Sequence, residues 1–221
     1  MTDIREHLAH KPLLFDGGMG TYYKAAPGAD CEMANLTDPE GVKKVHAEYL
    51  AAGAQAIKTN TFGLPRMAAA QMPGWEELAE AGWKLACDAA AEKDAAVFAD
   101  FGPAPDTEAA PASSAYGLVA QQFAALGAKN FLFETLSSDV GIVEAVKALR
   151  VAVPDAFVMV SFAVLPDGYT REGLLFRDLL RRMEQSGVVD AVGLNCVSAP
   201  GAMKKPVSYT HLRAHETTLH L

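Results

Sequence analysis

The chain has 221 residues, half of them hydrophobic and 21% charged, with a net charge of −8. That is a globular composition with enough apolar material for one sizeable core. The acidic balance, with no block of like charges, argues against a nucleic acid or an anionic membrane surface as partner, and no apolar run approaches the roughly 18–20 residues that span a bilayer.

The N-terminus lacks a basic segment leading into an apolar stretch, so no secretory signal is read. Cys31, Cys87 and Cys196 are too scattered for a disulfide framework, and a reducing, cytoplasmic setting is expected. The first short apolar run is Leu13-Leu14-Phe15. It leads into Asp16-Gly17-Gly18-Met19-Gly20-Thr21, where glycines either let backbone N–H groups approach an anion or simply turn the chain. The cluster is neither a P-loop nor a dinucleotide fingerprint, because neither spacing is present. Asp38-Pro39 then supplies an N-cap and a first-turn proline. Val42, Val45, Tyr49 and Leu50 share one helix face, and Gly53 ends that helix.

The second strand run, Ala56-Ile57-Lys58-Thr59, closes on Asn60-Thr61-Phe62-Gly63. Its polar side chains either enter a site or bond the loop. A helix is expected from about Trp75 to Ala91, then a strand at Ala96-Val97-Phe98-Ala99. Residues 102–114, rich in Pro, Ala and acid, read as a loop over the end of the sheet. A helix over about 113–127 precedes the strand Asn130-Phe131-Leu132-Phe133, which ends on Glu134-Thr135. A carboxylate directly after an apolar run is either ion-paired or functional. The next helix, about 138–150, carries Ile142, Val146 and Leu149 on one face. A strand over 157–161 and a helix over about 171–187, with Leu175, Leu179 and Met183 aligned, follow. The last run, Ala191-Val192-Gly193-Leu194, ends on Asn195-Cys196, and a lone cysteine there is more often a small buried residue than a ligand.

Six short strands alternating with helices imply a parallel sheet with right-handed crossovers. Polar or glycine-rich clusters end nearly every strand. That favours a (β/α)8 TIM barrel over a doubly wound sheet, whose chemistry gathers at one switch point. A full barrel takes about 250 residues, so the barrel is expected to be incomplete, with strands seven and eight missing.

Taken together, these strand ends carry a resemblance. Asp16-Gly-Gly-Met-Gly-Thr21, Asp30-Cys31-Glu32-Met33-Ala34-Asn35, His46-x-x-Tyr49-x-x-Ala52-Gly53-Ala54 and Ile57-x-Thr59-Asn60-Thr61-Phe62 are followed by Gly102-Pro103, Glu134-Thr135, Asp167-Gly168 and Gly193-x-Asn195-Cys196. Over about residues 13–203 the chain resembles the homocysteine S-methyltransferase family, of the methionine synthase and betaine–homocysteine methyltransferase type. The resemblance implies a zinc barrel that transfers a methyl group to the thiol of homocysteine, giving methionine. It implies three cysteine thiolates on the zinc. Cys196 matches one, and the other two are an adjacent pair at the eighth strand that this chain does not contain. Zinc would remove the thiol proton and leave a nucleophilic sulfur, so attack on the methyl group needs no general base. Asp16 and Glu134 would bind the substrate ammonium, backbone N–H groups near Gly17 its carboxylate, and Asn60 would line the pocket. The methyl donor stays open among folate, corrinoid, betaine and sulfonium compounds. Cys31 and Cys87 are read as structural.

One strand end departs from the family pattern. The family often shows a Gly-Ser-Ile-Gly-Pro-like sequence where this chain has Ala99-Asp100-Phe101-Gly102-Pro103. Asp100 is therefore either an extra acid at the site or a helix cap. Two other readings remain: a non-catalytic binding or docking module, and an aldolase-like lyase with Lys58 as Schiff-base lysine, which ranks below because Lys58 lies within a strand.

The C-terminus changes register. Residues 206–217 back-translate without a gap into a transposase mosaic end followed by a sequencing-library adapter. The expected division is a partial barrel over residues 1–205 and a non-native tail over 206–221. His211, His215 and His220 then belong to no site. With open strand edges and one zinc cysteine, the chain as written is expected to be poorly soluble or partly unfolded, and inactive.

Overall fold

The computed structural model describes residues 3–24 and 30–196. The expected boundary at residue 205 lies outside them. Helix α1 (Ile4–His10) opens the fold, with the Asp3 side chain accepting from the Arg5 amide as its N-cap. The 13–15 run is extended and reduced to one parallel bridge, Phe15 to Ala56. Then come α2 (Met19–Tyr23), a 3-10 turn (Cys31–Met33), α3 (Ala34–Thr37) and α4 (Pro39–Ala51). The Asp38 side chain caps α4 through the Gly41 amide, as the Asp-Pro pair predicts.

Alternation follows from there: β1 (Ala56–Lys58), α5 (Leu64–Ala69), α6 (Trp75–Ala91), β2 (Ala96–Phe101), α7 (Ala112–Ala125), β3 (Asn130–Leu136), α8 (Ile142–Ala152), β4 (Phe157–Ala163), α9 (Phe176–Ser186) and β5 (Ala191–Asn195). The five strands pair in chain order, all parallel. Together with the 13–15 bridge, this is the curved parallel sheet of an incomplete TIM barrel. Gly53, Gly127 and Gly187 all take positive φ just past their helices, the conformation in which glycine has no steric penalty. The last expected helix starts later than its periodicity suggests. An antiparallel bridge between Tyr169 and Leu175 holds the preceding segment as a turn, so α9 begins at Phe176.

Successive strand residues face opposite sides of the sheet. Phe101, Phe131, Phe133, Val158, Val160 and Phe162 turn outward into the helices and form the main core with α5 to α9. Ala56, Phe98, Leu132, Met159 and Ala191 turn inward, where Ile4 and Leu13 close the end at which the strands begin. Phe101 anchors the outer layer. It is fully buried, stacked on Phe133 at 4.7 Å between centroids and edge-on to Phe123 at 5.6 Å. Phe101→Ala is expected to lower stability by about 3–5 kcal/mol, the cost of a large core truncation. A shift in urea midpoint worth less than ~1 kcal/mol would mean that this layer is loosely packed. No helix among the described residues is long and apolar enough to cross a membrane.

Candidate active site

The inward face changes character along the strands. Two residues beyond Ala56, Phe98, Leu132 and Met159 stand Lys58, Asp100, Glu134 and Ser161, and Asn195 ends the same face of β5. A polar layer thus lies on an apolar floor at the C-terminal ends of the strands, where barrel enzymes place their chemistry.

Lys58 and Glu134 form its centre. Lys58 Nζ donates to Glu134 Oε1 at 3.2 Å and Oε2 at 3.4 Å, with the side chains only 14% and 13% exposed. Of the two readings of Glu134, paired or functional, the structure supplies a protein partner for the pair. Burial alone would lower the lysine's pKa. The carboxylates of Glu134, Asp100 and Asp16 outweigh it and hold the ammonium protonated, above the usual lysine range.

Asp16 lies beside this pair, 4% exposed. The Lys58 backbone amide donates to its Oδ2 at 3.0 Å, while Oδ1 is buried without a partner. Burial pushes this carboxyl up to about 7, against the pull of Lys58. Asp100 is equally buried. Burial first, and repulsion from Glu134 second, hold its carboxyl well above the ordinary range. Its Oδ1 also lacks a partner, as does the Ser161 hydroxyl on the same face. The backbone around Asp100 is fixed by two threonines: Thr59 Oγ1 accepts from the Asp100 amide at 3.0 Å, and Thr61 Oγ1 donates to its carbonyl at 2.9 Å.

The far side of the layer is built by Asn195. Its amide donates to Glu134 Oε2 at 3.1 Å and Thr135 Oγ1 at 2.8 Å, and its Oδ1 accepts from the Thr135 amide at 3.1 Å. Cys196 Sγ, exposed, lies 3.7 Å from the same Asn195 nitrogen and 3.6 Å from Thr135 Oγ1. The pairing of β3 with β4 slips between Phe133 and Leu136. A slip of this kind re-aims a side chain, and it coincides with Glu134. Thr135 and Cys196 both take left-handed backbone, at φ 60° and 49°. For a β-branched threonine that is a strained conformation, of a kind that clusters at functional sites.

Other expected residues make contacts of their own. Asn60 is buried and spends its amide on Cys31 O and Asn35 Oδ1, both at 2.9 Å, which is the loop-bonding reading of that strand end. Gly17 is where the Tyr49 ring comes in, and a Cβ there would fall 2.6 Å from Tyr49 Oη. Cys31 is half-buried in the 3-10 turn, and Cys87 is half-buried in α6. Among the described residues no group of three His, Cys, Asp or Glu could hold a metal ion. The sequence reading passed over Lys58 as a cation for Glu134, Asn195 as a hub, and Glu32, which is buried and accepts from the Gly63 amide. Strand alternation, counted from Ala56 and Leu132, carries the signal for Lys58.

The comparisons agree with this architecture. The chain is similar to the metallated form of the homocysteine methyltransferase MmuM from Escherichia coli, with a TM-score of 0.73 at 20% identity, covering 97% of this chain and 85% of that one. The apo form of MmuM gives 0.68 at 24% identity, with 94% and 82% covered. In sequence it is 28% identical to the methionine synthases of Mycobacterium tuberculosis and Mycobacterium leprae, over 97% of this chain. It spans about a fifth of the length of those curated relatives, 20% in each case. A profile described as homocysteine S-methyltransferase matches residues 13–220, so the chain belongs to the homocysteine S-methyltransferase family.

Proposed function

We propose that this chain forms the homocysteine-binding side of a zinc-dependent methyltransferase barrel that makes methionine in the cytoplasm. The observation that carries the reading is the bridge made by Asn195. One amide nitrogen reaches both the Glu134 carboxylate and the Cys196 thiol. An amino acid with a short thiol side chain matches that arrangement, its ammonium between Asp16 and Glu134 and its sulfur towards Cys196. Asp16 Oδ1, unpartnered among the described residues, gives the ammonium a free acceptor. Backbone N–H groups near Gly17 would take the substrate carboxylate, while the space beside the glycine itself is filled by the Tyr49 ring. Asn60 acts indirectly, by tying the loop after β1 to Asn35.

The described residues do not by themselves fit a zinc ion. Catalytic zinc takes three protein ligands, and Cys196 is one thiol without a metal-binding group around it. The other two thiolates would come from elsewhere in the parent protein. The protein's own part is to hold the amino acid, exclude water around Lys58 and Glu134, and aim the substrate sulfur. The methyl donor is left to the rest of the parent protein.

The test uses that parent, the complete gene product containing this chain. Calorimetry should show homocysteine binding. Methionine should form from homocysteine with one of betaine, S-methylmethionine, methyltetrahydrofolate or a methylcorrinoid. Chelation should remove zinc and activity together, and zinc should restore both. Zinc-loaded parent that does not bind homocysteine would overturn the reading.

A further inference from the structure

The polar layer holds more acid than its cation can serve. Asp16, Asp100 and Glu134 all act on Lys58, yet among the described residues the hydrogen bonds of its ammonium go to Glu134 alone. Asp16 has a backbone amide on one oxygen. Among the described residues Asp100 Oδ1 has no partner, although the residue is only 4% exposed. A buried carboxyl oxygen without a donor is costly, and such groups occur where a ligand or water completes them. Strand alternation points Asp100 into the same face as Lys58 and Glu134. Its backbone is held by Thr59 on the amide and Thr61 on the carbonyl, which fixes the point from which the side chain leaves the strand.

We propose that Asp100 is a third cation-binding carboxylate of the amino-acid pocket, and therefore a specificity-determining residue that makes a primary ammonium on the substrate obligatory. The inference rests on the homocysteine-pocket reading and adds a residue to it. A ligand ammonium has three N–H donors in a tetrahedral array. Asp16 Oδ1 and Asp100 Oδ1 are two buried acceptors awaiting such donors, and Glu134 is held by Lys58 beside them. The groups that face Asp100 electrostatically are Glu134, Lys58, Asp16 and Glu32. Three of these four are acids, so an incoming ammonium lowers the repulsion on Asp100 and lets it ionise. Binding of the amino acid should therefore release protons from the pocket to solvent.

The experiment compares the zinc-loaded parent protein with Asp100→Asn and Asp100→Ser, the first keeping the shape without the charge and the second also shortening the side chain. Each is titrated calorimetrically with L-homocysteine and with 4-mercaptobutanoate, which lacks the amino group, in two buffers of different ionisation enthalpy. The parent should prefer homocysteine strongly and release protons on binding it. Both variants should bind homocysteine roughly 10- to 100-fold more weakly, the effect of losing a hydrogen bond to a charged group. They should bind 4-mercaptobutanoate as the parent does, and release fewer protons. A purely structural role for Asp100 would instead weaken both ligands alike or lower the melting temperature, and that result overturns the proposal. Unchanged preference for homocysteine in both variants overturns it too, and leaves the pocket reading standing. Failure of the parent itself to bind homocysteine overturns both.

Discussion

Glu134→Gln is expected to cost the parent protein about 3 kcal/mol of stability and to weaken homocysteine binding by about 100-fold. The two losses share one cause. Glu134 neutralises Lys58 at 3.2 Å in a place where both side chains are nearly out of water. Glutamine keeps the shape and can still accept from Asn195, but it removes the charge. Breaking a buried pair on one side leaves an uncompensated ion, which typically costs about 3–5 kcal/mol. Asp16 and Asp100 stay near the lysine, so the low end of that range is expected. For binding, the loss is one of the carboxylates proposed for the substrate ammonium, together with an unpaired lysine that would now repel it. The double variant with Lys58→Met tests the assignment. Stability should recover by more than 1 kcal/mol relative to Glu134→Gln, because an apolar replacement of both partners of a buried pair is often neutral. Additive effects of the two single changes would show that the pair is not coupled, and would remove the lysine from the account of this site.

The fold was legible because its two periodicities differ so clearly. Apolar runs such as Asn130 to Phe133 and helices such as Trp75 to Ala91 declare themselves, and the helix bounds at the second fall where the pattern places them. The short elements did not. Helices α1, α2 and α5 span two turns or fewer, too few residues for an apolar stripe to stand out. The first strand run was found, but its pairing with β1 amounts to a single bridge. At the site, Glu134 could be picked out because a carboxylate after four largely apolar residues demands an explanation. Its partner could not be chosen from sequence. Lys58 lies 76 residues away, and only the stacking of parallel strands brings β1 and β3 ends to one face. Asn195 was hidden for a related reason. Its hydrogen bonds to Glu134 and Thr135 depend on the turn at Thr135 and on the slipped register beside it, neither of which any residue type announces.

Asp16→Asn is expected to change how stability and binding respond to pH, and the sign follows from burial. The carboxyl titrates near 7 in the folded chain, against an ordinary value of 3.8. Between those values the folded state keeps the proton and the unfolded state has lost it, so stability falls as pH rises through this window. The contribution is fully present below about pH 4 and gone above about pH 7, a difference on the order of 4 kcal/mol. Asparagine carries no such proton. The variant should therefore be more stable than the parent at pH 8, and the gap should close towards pH 4. His46 works in the opposite direction: burial lowers its pKa to about 4 from 6.5, so its neutral form gains stability as pH rises between those values. Taking the difference between parent and variant cancels that term, since both carry the histidine. Ligand binding should run against stability. A substrate ammonium favours ionised Asp16, so homocysteine affinity in the parent should rise with pH up to about 7 and then level off, and the variant should lack this rise. Urea midpoints at pH 5 and pH 8 read the first effect, and calorimetric titrations across the same range read the second. A variant whose stability curve parallels the parent's would mean that Asp16 is solvated rather than buried, and the ammonium site would then have to be built without it.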